Sequence, residues 1–268
     1  MKTLRPLLLT LALSLFSGGL HAAAPTFDSA TVTFIQHDVA VAELEVLQVD
    51  AAGKVARRPA SLNEALAESQ ALLTGRKSRA ELKLNDGTIA RVGQLSSFTY
   101  GKGTRLLQVK QGSALFVVPK GHGGTTIQAG AVTAAITGTT LLVQVFGDRV
   151  LIYVYEGSVE VAGQTVGAGQ VITIPNGGAA SLAAFDVRRG VETAALFSRF
   201  IDSPSQDEVL RQLGTALTGT GVGVTTPPTD LGDDTVVNPR VNTPPPPPRE
   251  GPIQSPGDFY NPPPGQNL

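Results

Sequence analysis

The chain has 268 residues, a formal net charge of −1 and 16% charged residues, where an average domain carries about 25%. Without a basic excess it has no electrostatic footprint for nucleic acid, and no nucleic-acid partner is expected. It has no Cys, so disulfides are excluded and stability must come from packing and hydrogen bonds.

Residues 1–24 read as a secretory signal peptide. Lys2 and Arg5 form a positive start, Leu7 to Phe16 an apolar middle, and Ala22-Ala23-Ala24 a small-residue end. The alternative is an N-terminal anchor, but the apolar part is shorter than the roughly 20 residues that span a bilayer. Pro25 disfavours cleavage just before it, and no Cys follows that a lipid could modify. The expectation is an exported protein, periplasmic or extracellular, with no integral span in the mature chain.

Residues 27–182 are written as short apolar runs between turn residues. Asn85-Asp86-Gly87 separates Ala80–Leu84 from Thr88–Val92, a strong hairpin signal because Gly accepts the positive φ of tight turns. Gly101-Lys102-Gly103 and Gly147-Asp148 separate further pairs, and Gly167-Ala168-Gly169 precedes Gln170–Ile174. Strands at this spacing predict an all-β body. Within it, Ala134 to Val145 carries no charge. Thr137, Gly138, Thr139, Thr140 and Gln144 argue for strand over membrane helix, with Gly138 at a turn or bulge. Leu141, Val143 and Val145 share one face; Leu142, Gln144 and Phe146 share the other. Both are mostly apolar, so this strand should be central and covered on both sides. Val109 to Val117 echoes Val154 to Val161, each with a strand, a polar step, Gly-Ser and a second strand. Such repeats favour stacked hairpins in a solenoid-like or layered body over a closed barrel. Ser61–Leu73 reads equally as a short helix capped by Ser61 and Glu64 or as extended chain.

Residues 183–218 read as a helical extension packed on the β body. Val191, Ala194, Ala195, Phe197 and Ile201 have helical spacing, and Ser205-Gln206-Asp207-Glu208 is a capping box before Val209, Leu210, Leu213 and Leu217. Residues 219–268 are rich in Gly, Thr and Pro, with five prolines at 244–248. They read as a disordered spacer with polyproline II character, or as a ligand for a proline-binding module.

Four motifs in order resemble the FecR domain family, across about residues 40–178. Ser78 to Val92 resembles its opening hairpin, Ile136 to Val143 its Gly-Thr motif, Val154 to Val161 its Glu-Gly-x-Val segment, and Val166 to Val171 its Ala-Gly-Gln. The resemblance implies an exported, all-β sensory or interaction module without catalytic residues. In the family's regulators a cytoplasmic segment and a membrane helix precede this region and pass a signal to a sigma factor. With a cleavable signal in their place, only the exported binding role carries over.

No catalytic set, metal site or cofactor is expected. His37 and His122 are far apart in sequence, and His122 lies in a glycine-rich turn without ligands at metal spacing. That turn also lacks the Lys-Ser/Thr ending of a phosphate loop. Glu43 and Glu45 share a strand side and can serve as an acid–base pair or cation site, but more often form a wet edge. Asp233-Asp234 reads as solvated charge. The partner-binding candidates are Tyr153 and Tyr155, which alternate with Ile152 and Val154 and offer ring area with a polar tip; otherwise they cover their own sheet. Gly87, Gly138, Gly157 and Gly169 are the structural turn glycines. Two functions fit: recognition of another envelope or extracellular protein, or of a ligand, through the β surface, and a structural role with the tail as tether.

Overall fold

The computed structural model describes residues 25–218 except 39, 41 and 69. The signal-peptide and tail readings, with Asp233-Asp234, lie outside the described residues. Among the described residues there are seventeen strands and three short helices, so the body is mostly β, as its turn spacing predicts.

The strands form two layers joined through one shared strand. The inner layer runs β1 (Ala30–His37), β6 (Ser78–Leu84), β7 (Ile89–Val92), the second half of β9 (Leu106–Val117), β12 (Thr140–Val145), β13 (Arg149–Glu156), β16 (Gln170–Pro175) and β17 (Ser181–Ala184), all antiparallel. The two-residue β4 (Ala65–Leu66) lies on the far side of β1. The outer layer runs β3 (Val55–Pro59), β2 (Leu44–Val49), β5 (Gln70–Thr74), β8 (Ser97–Gly101), the first half of β9, β10 (Thr125–Ala129), β11 (Val132–Ile136), β14 (Ser158–Val161) and β15 (Gln164–Gly167). Only β9 and β10 pair in parallel. Hairpins are laid alternately in the two layers as the chain advances, a layered stack.

Alternation decides the core. Leu82, Ala90, Phe116, Val143 and Ile152 of the inner layer meet Val46, Leu72, Phe98, Val109 and Ile127 of the outer layer in one buried cluster. The Phe98 and Phe116 rings, one from each layer, lie 6.1 Å apart. The other face of the inner layer carries a second cluster under the helices α1 (Val187–Thr193), α2 (Ala195–Ser198) and α3 (Gln206–Thr218). All six residues of β12 are therefore buried, the two-sided burial that its uncharged sequence predicts.

Three local readings change. Ser61–Leu73 is not helical: Asn63 turns at φ +64° and β4 and β5 follow. The first helix breaks at Ala194, whose ψ of 126° separates α1 from α2. The break rotates Ile201 outward to 72% exposure while Ala195 and Phe197 stay buried. The capping box before α3 does not close. Glu208 reaches Lys83 at 3.0 Å, and the Ser205 N–H donates to Ser203 Oγ. A partner across the interface takes the carboxylate from its local donor.

Candidate interaction surfaces

The glycine motifs hold the corners where the chain changes layer. β11 leads to β12, and β13 to β14, through Gly138 and Gly157. At Gly138 φ is +67°, and a Cβ would stand 2.7 Å from Lys120 Cα. A Cβ on Gly157 would stand 2.9 Å from the Gly138 carbonyl oxygen. Thr139 ties the corner, its hydroxyl donating to Ser158 O at 3.0 Å and its carbonyl accepting from Val118 N–H at 3.0 Å. Lys120 pairs with Glu156 at 2.6 Å. The sequence echo now has a cause. Gly112 and Gly157, at φ +86° and +83°, each let a strand cross between layers before a Ser. Gly87 and Gly169 also have positive φ, at +88° and +78°.

Tyr153 and Tyr155 do share a face, but it is buried: both are 0% exposed. Phe185 meets them edge-on at 5.4 and 5.1 Å, and Phe197 meets Tyr155 at 4.8 Å. A Cβ on Gly190 would come within 3.0 Å of the Tyr155 ring, so α1 lies directly on it. The Tyr155 hydroxyl has no hydrogen-bond partner, and burial pushes its pKa up. Neither ring is available to a partner. Strand alternation placed the two together but carries no information about an element arriving thirty residues later.

Under the same helices lies an ion pair that sequence reasoning missed. Arg91 and Glu81 have fully buried side chains and meet at 2.9 Å. Arg91 also donates to Leu196 O at 3.1 Å and Gln206 Oε1 at 2.9 Å, and its guanidinium lies 4.8 Å from the Phe200 ring centre. Glu81 accepts from Ser203 Oγ at 2.6 Å and Thr33 Oγ1 at 3.0 Å. Burial draws the Arg91 pKa down, and Glu81 draws it back up. The available signal was two charges facing each other across a predicted hairpin, each among apolar neighbours.

Among the described residues nothing covers the outer layer's far face. Toward β3 it curves into a groove of about 670 Å³ lined by residues including Glu43, Glu45, Leu47, Arg57, Leu73 and Lys110. Glu45 faces Arg57 at 3.6 Å, both about half exposed; such a pair contributes under about 1 kcal/mol. Glu43 accepts from the Arg76 N–H at 3.0 Å. The two carboxylates thus have separate partners and do not form an acid–base pair. Further along, Thr99, Gln108 and Gln128 form a polar ladder with bonds of 2.9 and 2.6 Å. His37 is exposed and His122 half-buried. No group of three or more His, Asp or Glu that could hold a metal lies among the described residues.

No curated protein matches the chain. Two solved structures of a candidate anti-sigma factor from Parabacteroides distasonis ATCC 8503 are similar at 15% and 14% identity, with TM-scores of 0.40 and 0.41. The likeness covers 44% and 46% of this chain and 61% and 63% of theirs, under two thirds of each. No described helix is long and apolar enough to cross a membrane. The model of the family described as FecR protein matches residues 70–160, from the start of β5 into β14.

Proposed function

We propose that the chain is an exported, non-catalytic binding or sensory module that recognises another envelope or extracellular protein through the open face of its outer layer. One observation carries this reading: the two sheets are treated unequally. The central strands of the inner layer are buried on both faces, β12 throughout, whereas the outer layer turns a curved face to solvent. That face sets Leu47 and Leu73 between acidic Glu43 and Glu45 and basic Arg57 and Lys110. Apolar side chains ringed by both signs of charge suit a protein surface, with the apolar part supplying affinity and the rim orientation. The FecR match supports a regulatory class of partner.

The test is site-specific photo-crosslinking in the cell envelope, with the probe at Lys110 in the groove or at Arg211 on the helical side. A crosslinked partner is expected from Lys110, lost in Leu47→Asp when that variant keeps its thermal melt. Crosslinking from Arg211 alone would overturn the choice of face. Recovery of the chain in the cytoplasmic fraction would overturn export.

A further inference from the structure

The two ends of the layered stack are finished differently. At one end, edge strand β3 carries Arg57, Arg58 and Pro59, and β1 is overlaid by β4 and by main-chain bonds from Asn63 and Glu64. Charges and proline are the usual protection of an edge against pairing. At the other end the edges are β15, Gln-Thr-Val-Gly, and β17, Ser-Leu-Ala-Ala. Neither has a charge or a proline. Among the described residues β17 is bonded on one side only, to β16, and all four of its residues are exposed.

The bonding parity of β17 follows from two main-chain bonds. Asn176 N–H donates to Asp148 O, so even-numbered residues of β16 face β13. Phe185 N–H donates to Gly169 O, so odd-numbered residues of β17 face β16. Antiparallel strands alternate these directions. Leu182 and Ala184 therefore turn their N–H and C=O groups away from the protein. Leu182 is in register with Ile172, which lies in the core between the layers. Its side chain extends that core row to the open end and is 43% exposed.

We infer that β17 is a self-association edge, pairing antiparallel with β17 of a second copy about a two-fold axis at Leu182. The local sequence Ala180-Ser181-Leu182-Ala183-Ala184 is nearly palindromic in size. Leu182 exchanges both main-chain bonds with its counterpart, and Ala180 and Ala184 pair crosswise. The two Leu182 side chains lie directly opposite on one face and cover the ends of both cores. A closed pair is selected over a filament, because a head-to-tail contact would set β17 against β1, whose outer side is already taken by β4 and by main-chain bonds with Asn63 and Glu64. A four-residue edge buries less than the roughly 800 Å² per partner of a standard interface, so the dimer is weak and depends on concentration. This inference is independent of the groove.

The experiment is sedimentation velocity of the full chain across the micromolar range, with amide exchange at Leu182 and Ala184. A monomer–dimer equilibrium is expected, with both amides gaining protection as concentration rises. Leu182→Lys opposes two charges at the axis, and Ala184→Pro removes a donor that the monomer does not use. Each should raise the dissociation midpoint about tenfold or more with an unchanged melt, while Arg57→Ala should not. A monomer at every concentration, or a dimer indifferent to both variants, would overturn the inference. So would a monomer whose Leu182 and Ala184 amides are already protected, since the chain's own residues would then cover the edge.

Discussion

Replacing Arg91 by Met tests the helical cover most directly. Met roughly keeps the unbranched stem but removes the guanidinium, leaving the Glu81 carboxylate at 0% exposure. Of its partners, only Ser203 and Thr33 remain. Leu196 O and Gln206 Oε1 lose their donors at the same time. Breaking a buried pair by removing one partner costs about 3–5 kcal/mol. For a folded unit of this size each kcal/mol moves Tm by about 2–4 °C, so a fall of about 6–20 °C is expected. The assay is thermal and urea unfolding followed by circular dichroism. The chain has no Trp, so the near-ultraviolet signal reports chiefly on tyrosine, including Tyr153 and Tyr155 beneath the helices. That signal should weaken before the far-ultraviolet strand signal does. The double variant Glu81→Leu/Arg91→Met removes the stranded charge and should be no less stable than Arg91→Met alone. A loss below about 1 kcal/mol for Arg91→Met, or a double variant much worse than the single, would refute the reasoning.

Gly138→Val should cost about 3 kcal/mol or more, since a β-branched residue at φ +67° is strained and its Cβ meets Lys120 backbone at 2.7 Å; urea unfolding with a normal midpoint would contradict this. Tyr155→Phe should leave stability equal or raise it by up to about 1 kcal/mol, because the hydroxyl it removes is buried without a partner; the check is the Tm. The Arg58 hydrogen bond, aided by the Ser61 N–H, holds the Glu64 carboxyl below its usual pKa. Its stabilisation, under about 1 kcal/mol, is present above the unfolded pKa of about 4.3 and is lost as pH falls through the folded value. Wild type and Glu64→Gln should therefore differ above that pH and converge below it in acid titrations of stability. Residues 70–160 expressed alone should fail to give a cooperative melt, measured by circular dichroism.

What was legible in the sequence was local. The Asp86-Gly87 and Gly147-Asp148 turns and the buried faces of β12 follow from residues within a few positions of one another. What was hidden depended on an element arriving from far along the chain. Tyr153 and Tyr155 read as surface because nothing nearby in sequence covers them; Phe185 and Phe197 do so from the far side of several turns. Arg91 and Glu81 occupy the polar positions of an alternating hairpin, which is where solvent normally lies. Ser203 and Gln206 complete their hydrogen bonds, and no periodicity links residue 81 to residue 203. The groove was missed for a related reason: Glu43, Leu73 and Lys110 come from separate segments, and only the curl of the outer layer brings them to one cleft.

The FecR match and the physical folding unit do not have the same limits. The matched stretch, 70–160, contains both partners of the buried ion pair and the Gly138 and Gly157 corners. Taken alone it would leave β6 without β1, β13 without β16 and β5 without β2. Each loss would turn a central strand of a sheet into an edge. It would also uncover Tyr153, Tyr155 and Leu142, whose cover comes from residues 185–217. The charge pair would lose Ser203 and Gln206 together. The cost of exposing an apolar face adds to the cost of unsatisfied buried charge, and both fall on the same side of the inner layer. The helices are therefore the third layer of the fold rather than an appendage to it. They leave the outer layer's far face as the side of the body that the core does not use.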